Sequence, residues 1–258
     1  PDNLFGFSFS ESLKRINALL VSLGLPPFSA GRPMSFENGA WIYSGARVSR
    51  IDLTCNYSTG SAVNAEVVLR SLAGHHVGRQ KGTLALNGAT VEYGRGSKYV
   101  YGKVYCKAVE LLAHRSRKSG QHVSDDVINY CLSSGILREE FTLKSRFLTQ
   151  ENLTYLPQIT DTCLESIIMK RSQFQRFSTV EYEDLSYLSR TVRATYANWK
   201  MGLPLGLSKP TFYRHRNELL KYGVDIGVAC NVVSLPIRLK VINLVPVSVP
   251  DWYSLQSA

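Results

Sequence analysis

The sequence has no long apolar run, and its cysteines are few and scattered. No apolar segment approaches the roughly 18 residues that a membrane-spanning helix requires, and the first residues show no basic stretch followed by an apolar core. The five cysteines form no Cys-x-x-Cys pair and no zinc-finger spacing with histidine. These absences argue against a spanning helix, a zinc ribbon and a disulfide framework. We therefore expect a cytoplasmic protein with free thiols.

Negative charge is also in short supply. The chain of 258 residues has 30 Lys and Arg against 20 Asp and Glu, which gives a formal net charge of +10. An excess of this size indicates a polyanionic partner. Nucleic acid is the first candidate and a membrane surface is the second. Hydrophobic residues make up 44% of the chain, which favours a folded protein over a disordered one.

Hydrophobic periodicity divides the chain into two parts. Up to about residue 150, segments of period two are mixed with short helical segments, whereas the period is mostly 3.6 after about residue 155. We therefore predict an α+β fold, with an antiparallel or mixed sheet and flanking helices over residues 1–152 and a mainly helical domain over residues 153–258. Asn87-Gly88 between two alternating runs predicts a hairpin. Because the first residue is proline, we expect a further N-terminal segment before it.

Two predicted strands, residues 46–56 and 136–148, each carry one carboxylate within a polar face. Asp52 shares its face with Arg50, and Glu140 has an arginine two positions before it. If the strands are neighbours, the two carboxylates can meet. A pair of carboxylates flanked by cations suits a Mg²⁺ or Mn²⁺ ion that serves a phosphodiester. The alternative is that both are solvated or salt-bridged residues on an exposed sheet face.

A third predicted strand, from residue 98 to about 109, is rich in tyrosine and lysine. One parity of this strand contains Tyr99, Tyr101, Lys103, Tyr105 and Lys107. Aromatic and cationic side chains on one face can bind single-stranded nucleic acid by stacking and charge neutralisation. Alternatively, one tyrosine is a nucleophile whose phenolate is favoured by a neighbouring lysine. A strand that packs simply through its β propensity is the third interpretation.

Residues 207–223 resemble the recognition helix of a helix-turn-helix module. In this interpretation Phe212, Tyr213, Leu219 and Leu220 pack inward, while Arg214, Asn217 and Lys221 face DNA. Arg216 falls within the apolar arc. A basic, solvated helix that reads no groove is the alternative.

The histidines do not form the metal-binding pair that is usual in DNA-nicking enzymes. Rolling-circle nickases and relaxases usually hold their metal with two histidines that flank one hydrophobic residue, and this pattern is absent. His75 and His76 are adjacent, so they would point to opposite faces of a strand. Any nicking site in this chain must therefore use carboxylates.

Taken together, the segments resemble the replication initiators of filamentous phages, the gene II family. The resemblance rests, in chain order, on Ser49-Arg50-Ile51-Asp52, on Tyr105-Cys106-Lys107-Ala108-Val109-Glu110-Leu111, on Arg138-Glu139-Glu140 with Leu143-Lys144, and on an ending of Asn231-Val232-Val233 and Pro250-Asp251-Trp252-Tyr253. These elements span most of the chain.

The resemblance implies an endonuclease that nicks one strand of supercoiled phage DNA at the origin in the bacterial cytoplasm. Such an enzyme leaves a 3′-OH for the host polymerase, acts with the host helicase, and later rejoins the displaced single strand. The family's nucleophile falls on Tyr105. Asp52 and Glu140 fall on acidic positions, and we predict them as ligands of Mg²⁺ or Mn²⁺. Glu110 is a third candidate ligand, although it shares the face of Tyr105 only if a bulge or helix begins between them.

The remaining predicted roles concern cations and DNA. We predict that Lys103 and Lys107 support the nucleophile, that Arg50, Arg138 and Lys144 contact phosphates, and that Arg214, Asn217 and Lys221 contact the duplex. Two non-catalytic functions remain as alternatives. One is an origin-binding protein that reads DNA with the helix at 208–223, and the other is a single-strand-binding protein that uses the tyrosine and lysine strand. Neither explains two polar strand faces that carry acids.

Overall fold

Helices and short antiparallel strands alternate along most of the chain. The computed structural model describes residues 3–73, 75–77, 80–116, 123–176, 179–228, 230 and 239–253. The elements up to residue 176 are α1 (Phe9–Ser22), β1 (Pro33–Glu37), β2 (Ala40–Tyr43), β3 (Arg50–Ser58), α2 (Ala62–Leu72), β4 (His76–Val77), β5 (Gln80–Lys81), β6 (Thr83–Leu84), β7 (Thr90–Tyr93), β8 (Val100–Cys106), α3 (Lys107–Ser116), α4 (Asp125–Ser133), β9 (Ile136–Lys144), α5 (Ser145–Gln150), a 3₁₀ turn (Leu156–Gln158), α6 (Asp161–Arg171) and α7 (Gln173–Arg176). They are followed by β10 (Thr179–Glu183), α8 (Arg190–Lys200), α9 (Lys209–Leu220), β11 (Leu239–Asn243) and β12 (Val245–Pro246). The predicted α+β fold is confirmed.

The chain divides into two compact units. The first unit contains Pro1–Thr179 and Ile242–Ala258, and the second contains Val180–Val241. The predicted boundary between residues 152 and 153 falls inside the first unit, which continues through α6 and α7. Within the described residues, no helix is both long and apolar enough to span a membrane.

In the described part of the first unit, six strands form one sheet in the order β12-β3-β9-β8-β7-β6. All neighbouring strands are antiparallel. The strand β9 therefore lies between β3 and β8. The two acid-bearing strands predicted from the sequence are neighbours, and the tyrosine-bearing strand lies on the other side of β9.

The two faces of this sheet differ in chemistry. Ile51 and Leu53 of β3 and Phe141 and Leu143 of β9 belong to a buried apolar cluster, together with residues of α5 and α6. Helix α2 buries Ala65, Val68, Leu69 and Leu72 and contacts the strands β7, β8 and β9. Because side chains alternate along a strand, the residues between these apolar positions lie on the opposite, polar face. Helices thus cover the apolar face, and the polar face holds the candidate site.

Local sequence signals explain where several elements begin and turn. Side-chain oxygens of Ser8, Ser61, Ser124, Thr160 and Ser189 accept hydrogen bonds from backbone N–H groups in the first turns of their helices. These bonds satisfy donors that a helix start leaves unpaired. Gly88 has a φ of 67° in the turn that joins the paired strands β6 and β7. The hairpin predicted at Asn87-Gly88 is therefore confirmed.

Two predicted strands are shorter than expected, because each ends where a helix begins. The strand β8 ends at Cys106 and α3 starts at Lys107, while β9 ends at Lys144 and α5 starts at Ser145. Ala108 and Leu111 are both buried, and their spacing of three residues suits one face of a helix. The change of period at Lys107 redirects every side chain that follows it.

The second unit is built around the two helices α8 and α9. Val192, Tyr196 and Trp199 of α8 pack with Leu219 of α9 in a buried cluster. The indole Nε1 of Trp199 donates a hydrogen bond to the carbonyl oxygen of Val228 at 2.7 Å. Helices in this part of the chain were predicted and are confirmed. The Asn231-Val232-Val233 segment lies outside the described residues.

Candidate active site on the polar face of the sheet

Strand register brings the predicted tyrosine, lysine and glutamate together. Lys103 of β8 lies opposite Glu140 of β9 on one side and opposite Glu92 of β7 on the other. Tyr105 lies opposite Arg138 of β9, so Glu140 is its diagonal neighbour. Diagonal neighbours on one face of a sheet lie within reach of long side chains.

The phenol of Tyr105 is hydrogen-bonded directly to the carboxylate of Glu140. Its hydroxyl donates a hydrogen bond of 2.5 Å to Oε1 of Glu140. The other carboxylate oxygen of Glu140, Oε2, lies 2.7 Å from Nζ of Lys103. The same Nζ lies 4.6 Å from the ring centroid of Tyr105. A potential nucleophile, a proton acceptor and a cation are therefore in mutual contact.

This environment keeps Tyr105 in its neutral form. Burial, followed by the hydrogen bond and the negative charge of Glu140, raises the pKa of Tyr105 well above its ordinary value. A neutral phenol is a weak nucleophile. Chemistry at Tyr105 therefore requires proton transfer during the attack, and the nearest acceptor is the Glu140 carboxylate that already accepts the hydrogen bond of the phenol.

Asp52 lies on the same face, in the adjacent strand β3. Its register partner is Thr142, whose Oγ1 donates a 2.6 Å hydrogen bond to Oδ1 of Asp52. Nε of Arg50 donates to Oδ2 of Asp52 at 2.8 Å. Asp52 and Glu140 are diagonal neighbours across β3 and β9, a separation of about 7–8 Å between Cα atoms. The shared polar face was predicted, whereas the bonds from Thr142 and Arg50 were not.

Glu110 approaches Tyr105 from the helix rather than from the strand. Because α3 begins at Lys107, Glu110 and Tyr105 both line a cleft of about 320 Å³. The oxygens of Glu110 are engaged by its neighbours on the helix. Nζ of Lys107 lies 2.7 Å from Oε2, and Nε2 of His114 lies 3.1 Å from Oε1.

The predicted ligands fit a divalent metal in part. Among the described residues, no group of three His, Cys, Asp or Glu side chains is placed to hold a metal ion, so Asp52, Glu140 and Glu110 do not form a closed three-ligand site. Mg²⁺, however, is usually bound by one or two carboxylates with substrate phosphate oxygens and waters. Asp52 and Glu140 fit that donor set, whereas Glu110 is directed towards Lys107 and His114.

Lys107 and Arg138 have surroundings different from those predicted. The side chain of Lys107 is fully buried, and its Nζ donates to Oδ1 of Asn3 at 2.5 Å as well as contacting Glu110. Arg138 is 3% exposed. Its guanidinium donates to Oδ1 of Asn56 at 3.0 Å, to the carbonyl oxygen of Asn3 at 2.6 Å, and to that of Leu4.

Both cations therefore hold the N-terminal segment against the sheet. Lys107 does not flank Tyr105 as a strand neighbour, because the helix begins at that residue. Arg138 has the predicted parity, but Asn3 and Leu4 cover it. This burial argues against the predicted phosphate contact of Arg138 and the predicted catalytic contact of Lys107. Lys103 is the predicted cation that reaches the tyrosine.

Arg50 and Lys144 lie opposite each other at one end of the polar face. The side chain of Arg50 is 65% exposed while it binds Asp52. Nζ of Lys144 donates to the carbonyl oxygen of Ser97 at 2.5 Å. An exposed guanidinium beside a candidate metal ligand is suitably placed for a phosphate, whereas Lys144 must exchange an internal hydrogen bond for such a contact.

Sequence reasoning missed two acid-bearing contacts beside the predicted residues. Glu92 accepts a 2.8 Å hydrogen bond from the hydroxyl of Tyr101, and His114 joins Glu110 in the cleft. The alternation of Thr90-Val91-Glu92-Tyr93 contained a signal for Glu92, since it set Glu92 and Thr90 on one face. His114 stands four residues after Glu110, which is one helical turn, and this signal depended on recognising α3.

On α9, the three predicted DNA contacts, Arg214, Asn217 and Lys221, are exposed. Tyr213 and Leu220 were predicted to pack inward, but they are 56% and 44% exposed. The inward position is taken by His215, whose Nδ1 lies 2.8 Å from Oγ1 of Thr195. These residues change the buried arc of the helix without covering the predicted basic face.

Arg216 occupied an apolar position in the predicted helix, and the structure explains why a cation is tolerated there. Its Nε and Nη2 donate to the two carboxylate oxygens of Asp225 at 2.5 and 2.6 Å. Together with the backbone N–H of Gly227, Arg216 lowers the pKa of Asp225 to about 2. Arg216 is therefore a structural cation of the second unit.

Two family profiles match the chain, and both describe the replication-associated protein encoded by phage gene II. The profile of its N-terminal part matches residues 3–162, and the profile of its C-terminal part matches residues 183–258. The replication-associated gene II protein of Escherichia phage If1 is 27% identical over 290 residues, which cover 98% of this chain and 90% of that protein. The protein of the same name from Enterobacteria phage I2-2 is 25% identical over 236 residues, which cover 86% of this chain and 67% of that protein. No solved structure matches the chain.

Proposed function

The chain belongs to the gene II family of replication-associated phage proteins, and we propose that it initiates phage DNA replication by nicking and later rejoining one strand at the origin. The observation that carries this proposal is the contact of Tyr105 with Glu140 and Lys103. A tyrosine bonded to a base and covered by a cation is arranged for attack on a phosphodiester.

In the proposed reaction Tyr105 is the nucleophile. Its Oη attacks the scissile phosphorus while Glu140 takes the phenolic proton, and the bond from phosphorus to the 3′ oxygen breaks. The leaving oxygen takes a proton from water and becomes the 3′-OH that primes synthesis. The 5′-phosphate remains on Tyr105. Lys103 neutralises charge that develops on the phosphate, which such a cation stabilises most strongly in the transition state.

Rejoining is the reverse of this attack. The 3′-OH of a displaced strand attacks the phosphotyrosine, Glu140 returns the proton to the departing phenol, and a closed strand results. The phosphotyrosine conserves the energy of the phosphodiester, so no nucleotide cofactor is required.

A divalent cation accompanies this chemistry in the proposal. Asp52 and Glu140 would hold Mg²⁺ or Mn²⁺, which supplies positive charge for the non-bridging phosphate oxygens when bound. Arg50 holds Asp52 in place and offers its exposed guanidinium to a flanking phosphate. Thr142 fixes the orientation of the Asp52 carboxylate through its 2.6 Å hydrogen bond.

The second unit supplies duplex contacts in this proposal. Helix α9 presents Arg214, Asn217 and Lys221 to DNA in the manner of a recognition helix. The partners are supercoiled phage DNA, the displaced single strand, and the helicase and polymerase of the bacterial host, whose cytoplasm is the site of action.

The proposal is tested with supercoiled plasmids that carry phage replication origins, including that of the genome encoding this chain. Protein is incubated with Mg²⁺, Mn²⁺ or EDTA, and the products are separated on a denaturing gel. Open circles that require metal, with DNA attached to the peptide containing Tyr105, are the expected result. The Tyr105→Phe variant removes only the hydroxyl, and we expect it to abolish the nick while retaining origin binding.

Tyr99→Phe is the matched control, because it removes the hydroxyl of a tyrosine whose ring packs against Phe147 and not against Glu140. It is expected to nick at the wild-type rate. Nicking by Tyr105→Phe at the wild-type rate would remove Tyr105 from the mechanism. Tight origin binding without any nick by the wild-type protein would instead support the non-catalytic binding function.

A further inference from the structure

Lys103 stands at the centre of an approximate two-fold arrangement of side chains. It lies directly opposite Glu140 on β9 and directly opposite Glu92 on β7. Two residues further along β8, Tyr105 bonds diagonally to Glu140. Two residues back along β8, Tyr101 bonds diagonally to Glu92. A rotation of 180° about an axis through Lys103 therefore exchanges the two tyrosine–glutamate pairs.

The second pair repeats the chemistry of the first. The hydroxyl of Tyr101 donates to Oε1 of Glu92 at 2.8 Å, and Nη1 of Arg95 lies 3.6 Å from Oε2 of the same glutamate. Each tyrosine thus has a carboxylate that can accept its proton and a cation on the other carboxylate oxygen. Both tyrosines line the same cleft. Tyr101 is partly exposed, whereas Tyr105 is buried.

We propose that Tyr101 is a second nucleophile, which cleaves a second phosphodiester while Tyr105 carries the 5′ end of the first. This inference rests on the proposed function. Rejoining requires a new 3′-OH on the displaced strand, and Tyr105 cannot generate it while it is esterified. Tyr101 lies four residues away, about 13 Å along the strand, so both tyrosines can face one bound strand.

The step balances in the same way as the first. Oη of Tyr101 attacks the second phosphorus, Glu92 takes the phenolic proton, and the bond to the 3′ oxygen breaks. The released 3′-OH then attacks the phosphotyrosine at residue 105, which closes the intervening DNA into a circle and returns Tyr105 to its phenol. The new 5′ end remains on Tyr101, so each circle exchanges the roles of the two tyrosines.

The order of the two cleavages follows from their cations. Lys103 contacts Glu140 at 2.7 Å, whereas Arg95 is 87% exposed and lies 3.6 Å from Glu92. The Tyr105 pair is therefore the more completely assembled. Attachment of the strand to Tyr105 raises the effective concentration of the second site near Tyr101, so Tyr101 acts after Tyr105.

The test uses single-stranded oligonucleotides that contain one or two copies of the nick site mapped on the plasmid. One copy reports the covalent adduct, and two copies report circles of the intervening DNA. We expect Tyr101→Phe to lower the ratio of circles to single-site adduct at least tenfold, and Glu92→Gln to lower it in the same direction. Tyr99→Phe is the control, and it should keep the wild-type ratio. Circle yield is compared across protein dilutions, because circles formed within one molecule keep a constant yield per adduct.

Trypsin can separate the two nucleophiles, because Lys98, Lys103 and Lys107 flank them. Residues 99–103 contain Tyr101 and residues 104–107 contain Tyr105, so mass spectrometry assigns each adduct. The proposal is supported if the two-site substrate gives an adduct on residues 99–103 and the Tyr99→Phe variant still forms this adduct, because Tyr101 is then the modified residue. Wild-type ratios in Tyr101→Phe, with adducts only on residues 104–107, would overturn it and leave the proposed function intact. A wild-type protein that nicks the supercoiled plasmid but forms no adduct with either oligonucleotide would overturn the second cleavage alone, whereas a protein that forms no nick or adduct with the plasmid would overturn both.

Discussion

The two carboxylate oxygens of Glu140 join the proposed nucleophile, Tyr105, to the cation of Lys103. Glu140→Gln keeps the size of the side chain but removes the negative charge. Its amide oxygen can still accept the hydrogen bond from Tyr105, but it cannot take the proton. Positioned general bases contribute on the order of 10²- to 10⁴-fold to rates. We therefore expect the nicking rate to fall by about that factor.

A single-turnover assay separates this chemical effect from binding. Protein in excess is mixed with labelled origin DNA, and open circles and the covalent adduct are quantified over time at increasing Mg²⁺ up to saturation, because Glu140 is also a proposed metal ligand and a loss of metal binding alone would be restored at high Mg²⁺. Origin affinity, measured without Mg²⁺, should change little, because Lys103 and Arg50 remain cationic. A fall in affinity as large as the fall in rate would assign Glu140 to binding.

The control removes the same charge elsewhere. Glu66 lies on α2 and forms an exposed i,i+4 ion pair with Arg70 at 3.2 Å, and exposed pairs of this kind contribute less than about 1 kcal/mol. Glu66→Gln should therefore nick at the wild-type rate. If Glu140→Gln retains clearly more than about a hundredth of the wild-type rate, which is the residual rate at the lower bound of general-base catalysis, proton transfer to Glu140 is refuted.

Glu139 lies on the apolar face and is 1% exposed, and burial raises its pKa to about 7. Between about pH 4.5 and 7 the folded state therefore binds a proton that the unfolded state has lost. The contribution of this proton to the free energy of unfolding is fully present below about pH 4.5 and is lost as the pH rises through 7. In EDTA, Glu139→Gln should remove a loss of about 3 kcal/mol between pH 5 and 8, as measured by urea unfolding, and parallel pH profiles for the two proteins would contradict this. Arg138→Met should lower the free energy of unfolding by about 1–3 kcal/mol, because buried carbonyl oxygens are left without a donor, while the salt dependence of duplex binding stays unchanged. Replacing Arg214 and Lys221 by Ala should reduce the slope of log affinity against log salt by about 0.9 for each phosphate that the helix no longer neutralises, and an unchanged slope would show that α9 does not bind the duplex.

The shared polar face could be predicted because it depends only on alternation. Asp52, Glu140, Lys103 and Tyr105 each follow the parity of their own strand, which a short segment of sequence displays. The order of the strands in the sheet was harder to predict from the sequence. The adjacency of β3 and β9 was expected only as a condition for the two carboxylates to meet, and the pairing of β8 with β9 was not foreseen.

The surroundings of Lys107 and Arg138 differ from those expected, for reasons that parity cannot detect. Lys107 has the parity of Tyr105, but the chain changes from strand to helix at that residue. Arg138 has the parity of Glu140, but Asn3 and Leu4 from the beginning of the described chain cover it. A change of period is a local signal that Ala108 and Leu111 contained, whereas the burial of Arg138 arises from a contact across more than a hundred residues.

Register decides which tyrosine receives Glu140, and register is a property of pairs of strands. A slip of β8 by two residues against β9 would keep every side chain on its own face. It would nevertheless set Glu140 directly opposite Tyr101 or Tyr105 and move Lys103 away from the centre. The observed register instead pairs Val100 with Leu143 on the apolar face, where both are buried in one cluster with Phe147. The apolar packing beneath the sheet therefore determines the chemistry above it, so substitutions that shift this register should disturb both tyrosine–glutamate pairs at once.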